Sequence, residues 1–138
     1  MKKRFVLDAC ALIAFLNDEE GADEVEKILQ IAKQEKAQIF INQLNLLEVY
    51  YGVYREDGKE VAEEILSAVS KIPIKIIERI NDAILKEAGR LKATYKISIA
   101  DAVAVAQAKT KHALLVTADH HELDQLEQDN EVGIHWIR

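Results

Sequence analysis

The sequence predicts an α/β protein, a three-layer α/β/α sandwich with a mainly parallel central sheet. The main observation is that short apolar runs, of the length of buried strands, alternate along the chain with amphipathic segments of helical period. The second observation is size. A chain of 138 residues, 49% apolar and 30% charged, suits one globular domain over residues 1–138 with its own core.

The first part of the chain begins with a strand pattern. Residues 5–7 are an uninterrupted apolar triplet, as are residues 39–41, so both are predicted to be short buried strands. Residues 11–16 are predicted to form a helix directly after the first strand. Residues 21–36 have apolar side chains at helical spacing, which predicts a second helix before the second strand.

The middle of the chain continues the alternation. Asn42 has a side chain suited to an N-cap, which predicts a helix that begins there and runs through Tyr54. Gly58 separates this helix from residues 60–70, which have an apolar stripe of helical period. A third strand is predicted over residues 74–77.

The last part of the chain has the same two kinds of segment. Helices are predicted where a capping side chain precedes a helical period, and strands where a short apolar run stands alone. The predicted elements are a helix from Asn81 or Asp82 to about Tyr95, a helix from Ser98 through Thr110, a strand over 113–116, a helix over 121–128 and an edge strand over 134–137.

Four acidic residues interrupt apolar segments: Asp8, Glu48, Asp101 and Asp119. A buried carboxylate is unfavourable unless it is paired, hydrogen-bonded or bound to a metal. Asp8 and Asp119 lie at or just past the ends of predicted strands, and in parallel α/β folds sites form at the carboxyl ends of strands. Asp101 lies in the first turn of its helix, where the helix dipole favours a negative charge. Glu48 is mid-helix, so only the tertiary fold can bring it to the others.

This pattern of carboxylates predicts an all-oxygen metal site. Without clustered Cys or His, the donor set suits Mg²⁺ or Mn²⁺ rather than Zn²⁺ or copper. Such ions activate water and stabilise the leaving oxygen in phosphoryl displacement, so hydrolysis of a phosphodiester or phosphate is the predicted reaction. A phosphatase with an aspartyl nucleophile fits less well, because Cys10 stands where its second Asp would be, and the five glycines form no phosphate-binding loop.

Composition narrows the class of protein further. The net charge of −6 provides no global basic field that would attract nucleic acid or anionic lipid. The single cysteine excludes an intramolecular disulfide and fits a reducing, cytoplasmic location. The basic start of the chain is followed by only three apolar residues before Asp8, too few for a signal peptide, and no segment is long enough to span a membrane.

The four acidic segments together resemble the PIN-domain ribonucleases, especially the small VapC-type toxins of prokaryotes. The resemblance covers nearly the whole chain, and the order and spacing of the motifs make it specific. The segments are Phe5-Val6-Leu7-Asp8-Ala9-Cys10-Ala11-Leu12-Ile13, Leu46-Leu47-Glu48-Val49-Tyr50-Tyr51-Gly52, Ser98-Ile99-Ala100-Asp101-Ala102 and Leu115-Val116-Thr117-Ala118-Asp119.

The resemblance implies an endoribonuclease dependent on Mg²⁺ or Mn²⁺, the toxin of a type II toxin–antitoxin pair, with a homodimeric state and a cognate antitoxin as partner. Asp8, Glu48, Asp101 and Asp119 would then be the catalytic metal ligands. Two other readings stay open: a PIN nuclease with a housekeeping role in RNA processing, and an inactive PIN-fold binding module. Two departures from the family pattern stand out. Cys10 replaces a common Ser or Thr. After Asp119, His120-His121-Glu122-Leu123 stands where the family often has another acidic residue and an aromatic.

Several other residues have both a structural and a functional interpretation. Thr117 either caps locally or orients Asp119 and the phosphate. Lys86 and Arg90 share a helix face and either contact RNA phosphates or are simply solvated. The apolar and aromatic residues Leu44, Leu47, Tyr50, Tyr51 and Tyr54 either form part of the core or line a groove for a partner protein.

Overall fold

The computed structural model describes residues 2–138, which form five strands and seven helices. The strands are β1 (Lys3–Leu7), β2 (Ala37–Asn42), β3 (Lys75–Ile77), β4 (Leu114–Thr117) and β5 (Ile134–Trp136). The helices are α1 (Ala9–Leu16), α2 (Ala22–Lys33), α3 (Gln43–Asp57), α4 (Lys59–Val69), α5 (Asp82–Thr94), α6 (Ile99–Thr110) and α7 (His120–Gln128). The predicted fold class is confirmed, and each predicted element is present to within a few residues.

The strands form one sheet in the order β3-β2-β1-β4-β5, and every neighbouring pair is parallel. The central strand is β1, in which Phe5 pairs with Ile39 of β2 on one side and with Leu114 of β4 on the other. The chain extends the sheet in one direction through β2 and β3 and later in the other through β4 and β5. The carboxyl end of β1 is therefore the point where the connections diverge, the usual position of a site in such sheets.

The two faces of the sheet carry two apolar cores. Successive strand residues point to opposite faces. Phe5 and Leu7 accordingly pack with residues of α1–α4, whereas Val6 packs with residues of α5–α7. Helix α6 lies deepest in the second layer, since every residue from Ala100 to Ala108 is buried. The three layers are thus helix, sheet and helix, as the alternating pattern predicts.

Side-chain caps begin five of the helices and fix the segments that follow the strands. Asn42 accepts a hydrogen bond from the Leu44 backbone N–H at 2.9 Å, directly after β2. Asp8 and Asp119 are caps of the same kind, directly after β1 and after β4. These two carboxylates are held at the carboxyl edge of the sheet by the same bonds that start α1 and α7. No helix within residues 2–138 has the length and apolar character required to cross a membrane.

Candidate metal site

Asp8 is the most deeply placed carboxylate, with 1% of its surface exposed. Its Oδ1 accepts a hydrogen bond from the Ala11 backbone N–H at 2.8 Å, and its Oδ2 accepts one from the Thr117 hydroxyl at 2.5 Å. Burial raises the pKa of Asp8 to about 6, and the negative charges of Asp119 and Glu48 add to the effect of burial. The two hydrogen bonds lower the pKa without cancelling this rise.

The buried Asp101 and the half-buried Glu122 are in contact at the same edge. Asp101, in the first turn of α6, is 7% exposed. Burial is the main cause that raises the pKa of Asp101, followed by its hydrogen bond with Glu122 and by the charge of Asp8. The Glu122 carboxylate also accepts a hydrogen bond from the Ser98 backbone N–H at 2.6 Å. The hydrogen bond from Asp101 is the main cause that lowers the pKa of Glu122.

Thr117 connects two of the carboxylates. It is fully buried at the end of β4, where its hydroxyl donates to Asp8 and accepts a hydrogen bond from the Asp119 backbone N–H at 3.0 Å. The Asp119 carboxylate in turn accepts one from the Glu122 backbone N–H at 3.2 Å. The structure therefore places Thr117 where it orients Asp8 directly and Asp119 through the backbone.

Three carboxylates lie close enough together to share one ion. Oxygen atoms of Asp101, Asp119 and Glu122 lie within 4.8 Å of one another. These residues come from the start of α6, the end of β4 and the first turn of α7, so the site exists only in the folded chain. A set of carboxylate oxygens suits a hard divalent cation such as Mg²⁺ or Mn²⁺, and the donor set therefore fits the metal that the sequence predicts.

Glu48 faces this pocket from α3. It is half-buried, and its pKa is raised by burial first and then by the charges of Glu122 and Asp119. One turn earlier, the fully buried Asn45 side chain donates a hydrogen bond from Nδ2 to the carbonyl of Ala100 at 3.0 Å. This bond ties α3 to the start of α6, and so sets Glu48 relative to Asp101.

Glu122 is the member of the pocket that the sequence analysis did not select. A signal for it exists, because Asp119 and Glu122 have the spacing of a capping box, in which the N-cap and the third helical residue bond to each other's backbone. The structure contains half of that box, the bond from the Glu122 N–H to Asp119. The glutamate side chain turns instead toward Ser98 and Asp101.

Cys10 lies beside the pocket and is half-buried. Burial, followed by the charge of Asp8, raises the pKa of the Cys10 thiol to about 11. The thiol is therefore protonated at neutral pH, and it does not add an anionic ligand to the carboxylates.

The two basic residues that the sequence suggests for RNA binding differ in their surroundings. Lys86 is exposed on α5. Arg90, one turn later, has its guanidinium held by Glu131 at 2.7 Å and by Glu87 at 2.6 Å. The charge of Arg90 is thus already matched within the protein, which leaves Lys86 as the freer of the two for a phosphate.

The fold is similar to that of several solved toxin–antitoxin structures. VapBC2 from Rickettsia felis, bound to a DNA fragment from their promoter, matches with a TM-score of 0.73 and 17% identity over 96% of this chain and 98% of that chain. DNA-bound VapBC from Salmonella typhimurium matches with a TM-score of 0.70 and 16% identity over 100% of both chains. VapC20 from Mycobacterium tuberculosis, a Sarcin-Ricin loop cleaving toxin, matches with a TM-score of 0.60 and 14% identity over 84% of this chain and 90% of that chain.

Comparison at the level of sequence gives two results. Among curated proteins, no sequence has significant similarity to this chain. The family model described as "PIN domain" matches residues 5–128, which takes in Asp8, Glu48, Asp101, Asp119 and Glu122. The match covers most of the chain, which therefore belongs to the PIN domain family.

Proposed function

We propose that this protein is a metal-dependent endoribonuclease that hydrolyses RNA phosphodiester bonds, and the toxin of a type II toxin–antitoxin pair. The observation that carries the proposal is the pocket of five carboxylates at the carboxyl edge of the sheet in a PIN-domain chain. Within residues 2–138, no lysine or arginine forms an ion pair with any of the five. Clustered carboxylates that have no lysine or arginine partner are typical of a site that binds a divalent cation.

In this proposal Asp101, Asp119 and Glu122 would hold Mg²⁺ or Mn²⁺, and Asp8 and Glu48 would add further carboxylate oxygens to the site. A cation bound there would polarise a phosphoryl oxygen and lower the pKa of a bound water. The protein's own part is to keep the oxygens in place. Both Asp8 oxygens are fixed by donors from α1 and β4, so this carboxylate cannot rotate away when a substrate arrives.

Two similarities support RNA as the substrate and an antitoxin as the partner. VapC20 is described as cleaving the Sarcin-Ricin loop, and the Rickettsia and Salmonella structures are VapBC complexes. These are proteins of the same fold at low identity, so the substrate and partner of this chain are inferred from them by analogy.

The test of activity is cleavage of a structured RNA by the purified protein with Mg²⁺, Mn²⁺ or excess EDTA. We expect cleavage with either metal and none in EDTA, and near-complete loss in the Asp101→Asn variant because it removes one anionic oxygen from the ligand set. Cleavage that persists in EDTA would contradict the proposal. Growth arrest on expression of the wild type, but not of Asp101→Asn, would separate a toxin from a housekeeping nuclease.

The partner is proposed to bind beside α3. A groove of about 460 Å³ runs between α3, α4 and the segment after β3. Its lining is mainly apolar and comprises Asn42, Gln43, Leu44, Leu46, Leu47, Tyr50, Leu66, Glu78 and Ile80. Next to it, the side chains of Tyr51 and Tyr54 are 49% and 46% exposed, so part of the tyrosine group is available as anchors. An amphipathic helix of the antitoxin fits such a groove.

Mutation of the exposed tyrosines tests the partner. We expect Tyr54→Ala to weaken co-purification with a small protein encoded next to this one, while Leu114→Ala, a control at the opposite end of the sheet with 40% exposure, leaves it unchanged. Equal retention of the partner by both variants would place the antitoxin elsewhere. The homodimer implied by the family is also a proposal, and sedimentation of the purified protein measures it.

A further inference from the structure

Two aromatic rings are stacked directly beside the carboxylate pocket. The ring centroids of His120 and Trp136 are 3.7 Å apart, and their planes differ by 11°. His120 is the residue after Asp119, at the start of α7, and Trp136 is the last residue of β5. The pair therefore lies at the carboxyl edge of the sheet, on the β5 side of the pocket.

The imidazole of His120 is held on three sides. Its Nδ1 lies 2.8 Å from Asp124 Oδ1, and its Nε2 lies 2.9 Å from the Arg138 carbonyl oxygen. One face is covered by the indole, which is itself anchored by a hydrogen bond from Nε1 to Glu127 at 3.1 Å. With these contacts in place the His120 side chain is still 49% exposed. The exposed surface is therefore mainly the second face of the ring.

We propose that the second face of His120 stacks a base of the RNA next to the bond that is cut. The proposal rests on the function proposed above and adds a substrate-binding residue to it. Single-stranded nucleotides are recognised by stacking on planar side chains, and a ring fixed in advance loses little entropy on binding. Asp119 and His120 have Cα atoms about 3.8 Å apart, so the stacked base belongs to a nucleotide within one or two of the cleaved bond.

The contacts of His120 also define what kind of base it selects. Each ring nitrogen already has a protein oxygen within hydrogen-bond distance, so the ring has no free polar atom to distinguish base edges. Selection at this position follows from stacking area, which favours a purine over a pyrimidine without requiring a particular one. The substrate class is therefore RNA with an unpaired, preferably purine, nucleotide beside the cut.

The alternative role for His120 is structural, because its contact with Asp124 lies within α7 and its contact with Arg138 joins α7 to the segment after β5. Two substitutions separate the roles. His120→Phe keeps a planar ring and loses both hydrogen bonds, whereas His120→Asn keeps a hydrogen-bonding side chain and loses the ring. If His120 stacks a base, RNA binding is retained in His120→Phe and lost in His120→Asn. If its role is structural, RNA binding is better retained in His120→Asn than in His120→Phe. The adjacent exposed His121 provides a matched control, His121→Ala.

The measurement is the Kd for a ten-nucleotide single-stranded RNA in EDTA, together with KM and kcat for its cleavage in Mn²⁺. We expect His120→Ala and His120→Asn to raise Kd and KM by about 5- to 150-fold, with kcat changed less, because stacking is worth roughly 1–3 kcal/mol per base. We expect His120→Phe and His121→Ala to stay near the wild type. Trp136 is the only tryptophan in the chain, so quenching of its emission reports a change at this pair directly.

Two results would overturn the inference. One is unchanged RNA affinity in His120→Asn, and the other is a loss in His120→Phe as large as that in His120→Asn. If His120→Ala fails to fold, the comparison of the phenylalanine and asparagine variants still decides. Failure of the underlying function is distinguishable, because the wild type itself would then neither bind nor cleave the RNA.

Discussion

The protein has two clusters of partly buried carboxylates, and they are in opposite electrostatic states. In the pocket at the carboxyl edge of the sheet, the pKa values of Asp8, Glu48 and Asp101 are raised by burial. In the second cluster, formed around Glu131 just before β5, hydrogen bonds from Arg90 and Lys109 lower the pKa of Glu131 to about 2.

The second cluster is fully matched in charge. Glu131 accepts from Arg90 at 2.7 Å and from Lys109 at 2.9 Å, and Glu87 accepts from Arg90 at 2.6 Å and lies 3.3 Å from Lys109. Two carboxylates face two cations, and the network joins α5, α6 and the segment before β5.

The comparison teaches that burial of carboxylates alone does not indicate function. Burial without a compensating lysine or arginine is the better indication, because either a bound cation or a proton must then offset the charge.

The largest difference between the two clusters should be in RNA cleavage, which we expect to depend on the pocket and not on the matched cluster. We expect Asp8→Asn to reduce RNA cleavage in Mn²⁺ by at least about 100-fold, since it removes a preorganised charge from the site. Glu131→Gln, which alters the matched cluster, should leave cleavage close to that of the wild type. Initial cleavage rates at equal concentrations of folded protein measure both. Comparable losses in the two variants would break the distinction.

The stability of the metal-free protein should be affected more by a variant of the matched cluster than by a variant of the pocket. Glu131→Gln should lower the free energy of unfolding by about 1–3 kcal/mol, because it removes the negative charge that accepts hydrogen bonds from both Arg90 and Lys109. Asp101→Asn should leave the metal-free protein as stable as the wild type or more so, because it relieves repulsion. Urea unfolding of both variants in EDTA tests this. Saturating Mn²⁺ should raise the melting temperature of the wild type more than that of Asp101→Asn.

The pH dependence of stability should have two limbs, one from each cluster. The pKa of Asp8 rises from an ordinary value of 3.8 to about 6 on folding, so its protonated form is favoured in the folded state. The metal-free protein should therefore gain stability as the pH falls from about 7 to 4. The pKa of Glu131 falls from 4.5 to about 2, so its contribution is present above pH 4.5 and is lost as the pH falls toward 2.

Variants assign each limb to its cluster. Asp8→Asn should make the limb above pH 4 shallower without abolishing it, since the raised pKa values of Glu48 and Asp101 contribute to the same limb. Glu131→Gln should make the limb below pH 4.5 shallower. Unfolding free energies between pH 3 and 7.5 in EDTA provide the measurement. A wild-type stability that rises steadily with pH throughout this range would show that the pocket carboxylates are compensated in some other way.

The smallest expected effect concerns the support of the pocket. Thr117→Val keeps the shape of the side chain and removes the hydroxyl that donates to Asp8. We expect Mn²⁺ affinity to fall by about 10-fold, the lower end of what loss of such a supporting bond costs. Calorimetric titration with Mn²⁺ measures it. Thr110→Val, at an exposed hydroxyl that bonds only within α6, is the control and should bind as the wild type does.

Much of the fold could be predicted because local signals and the tertiary structure agree. The triplet at residues 5–7 is both an apolar run and the centre of the sheet, and Asn42 and Ser98 are both capping side chains and actual caps. The three-layer arrangement follows from the alternation of such segments. Pairing order does not follow from it, since nothing local states that β1 lies between β2 and β4.

Four of the five pocket carboxylates could be selected from the sequence, and the fifth could not. Asp8, Glu48, Asp101 and Asp119 stand out because each interrupts apolar residues, and the structure brings them to one edge of the sheet. Their role as metal ligands stays a prediction that the experiments above test. Glu122 does not interrupt an apolar run, so its place in the pocket depends on long-range contacts with Ser98 and Asp101. Glu131, one of the two partners of Arg90, is likewise 41 residues away in sequence.

The order of the strands has a consequence for synthesis of the chain. Asp8 and Glu48 emerge early from the ribosome, whereas Asp101, Asp119 and Glu122 emerge late, and Thr117, the hydroxyl partner of Asp8, comes with them. Strand β4 must insert beside β1 before β5 can join the sheet. An incomplete chain that lacks β4 and α7 therefore lacks Thr117, Asp119 and Glu122, and keeps only three of the five pocket carboxylates. The complete pocket can therefore form only after residue 122 has been synthesised, however early β1 and α3 are made.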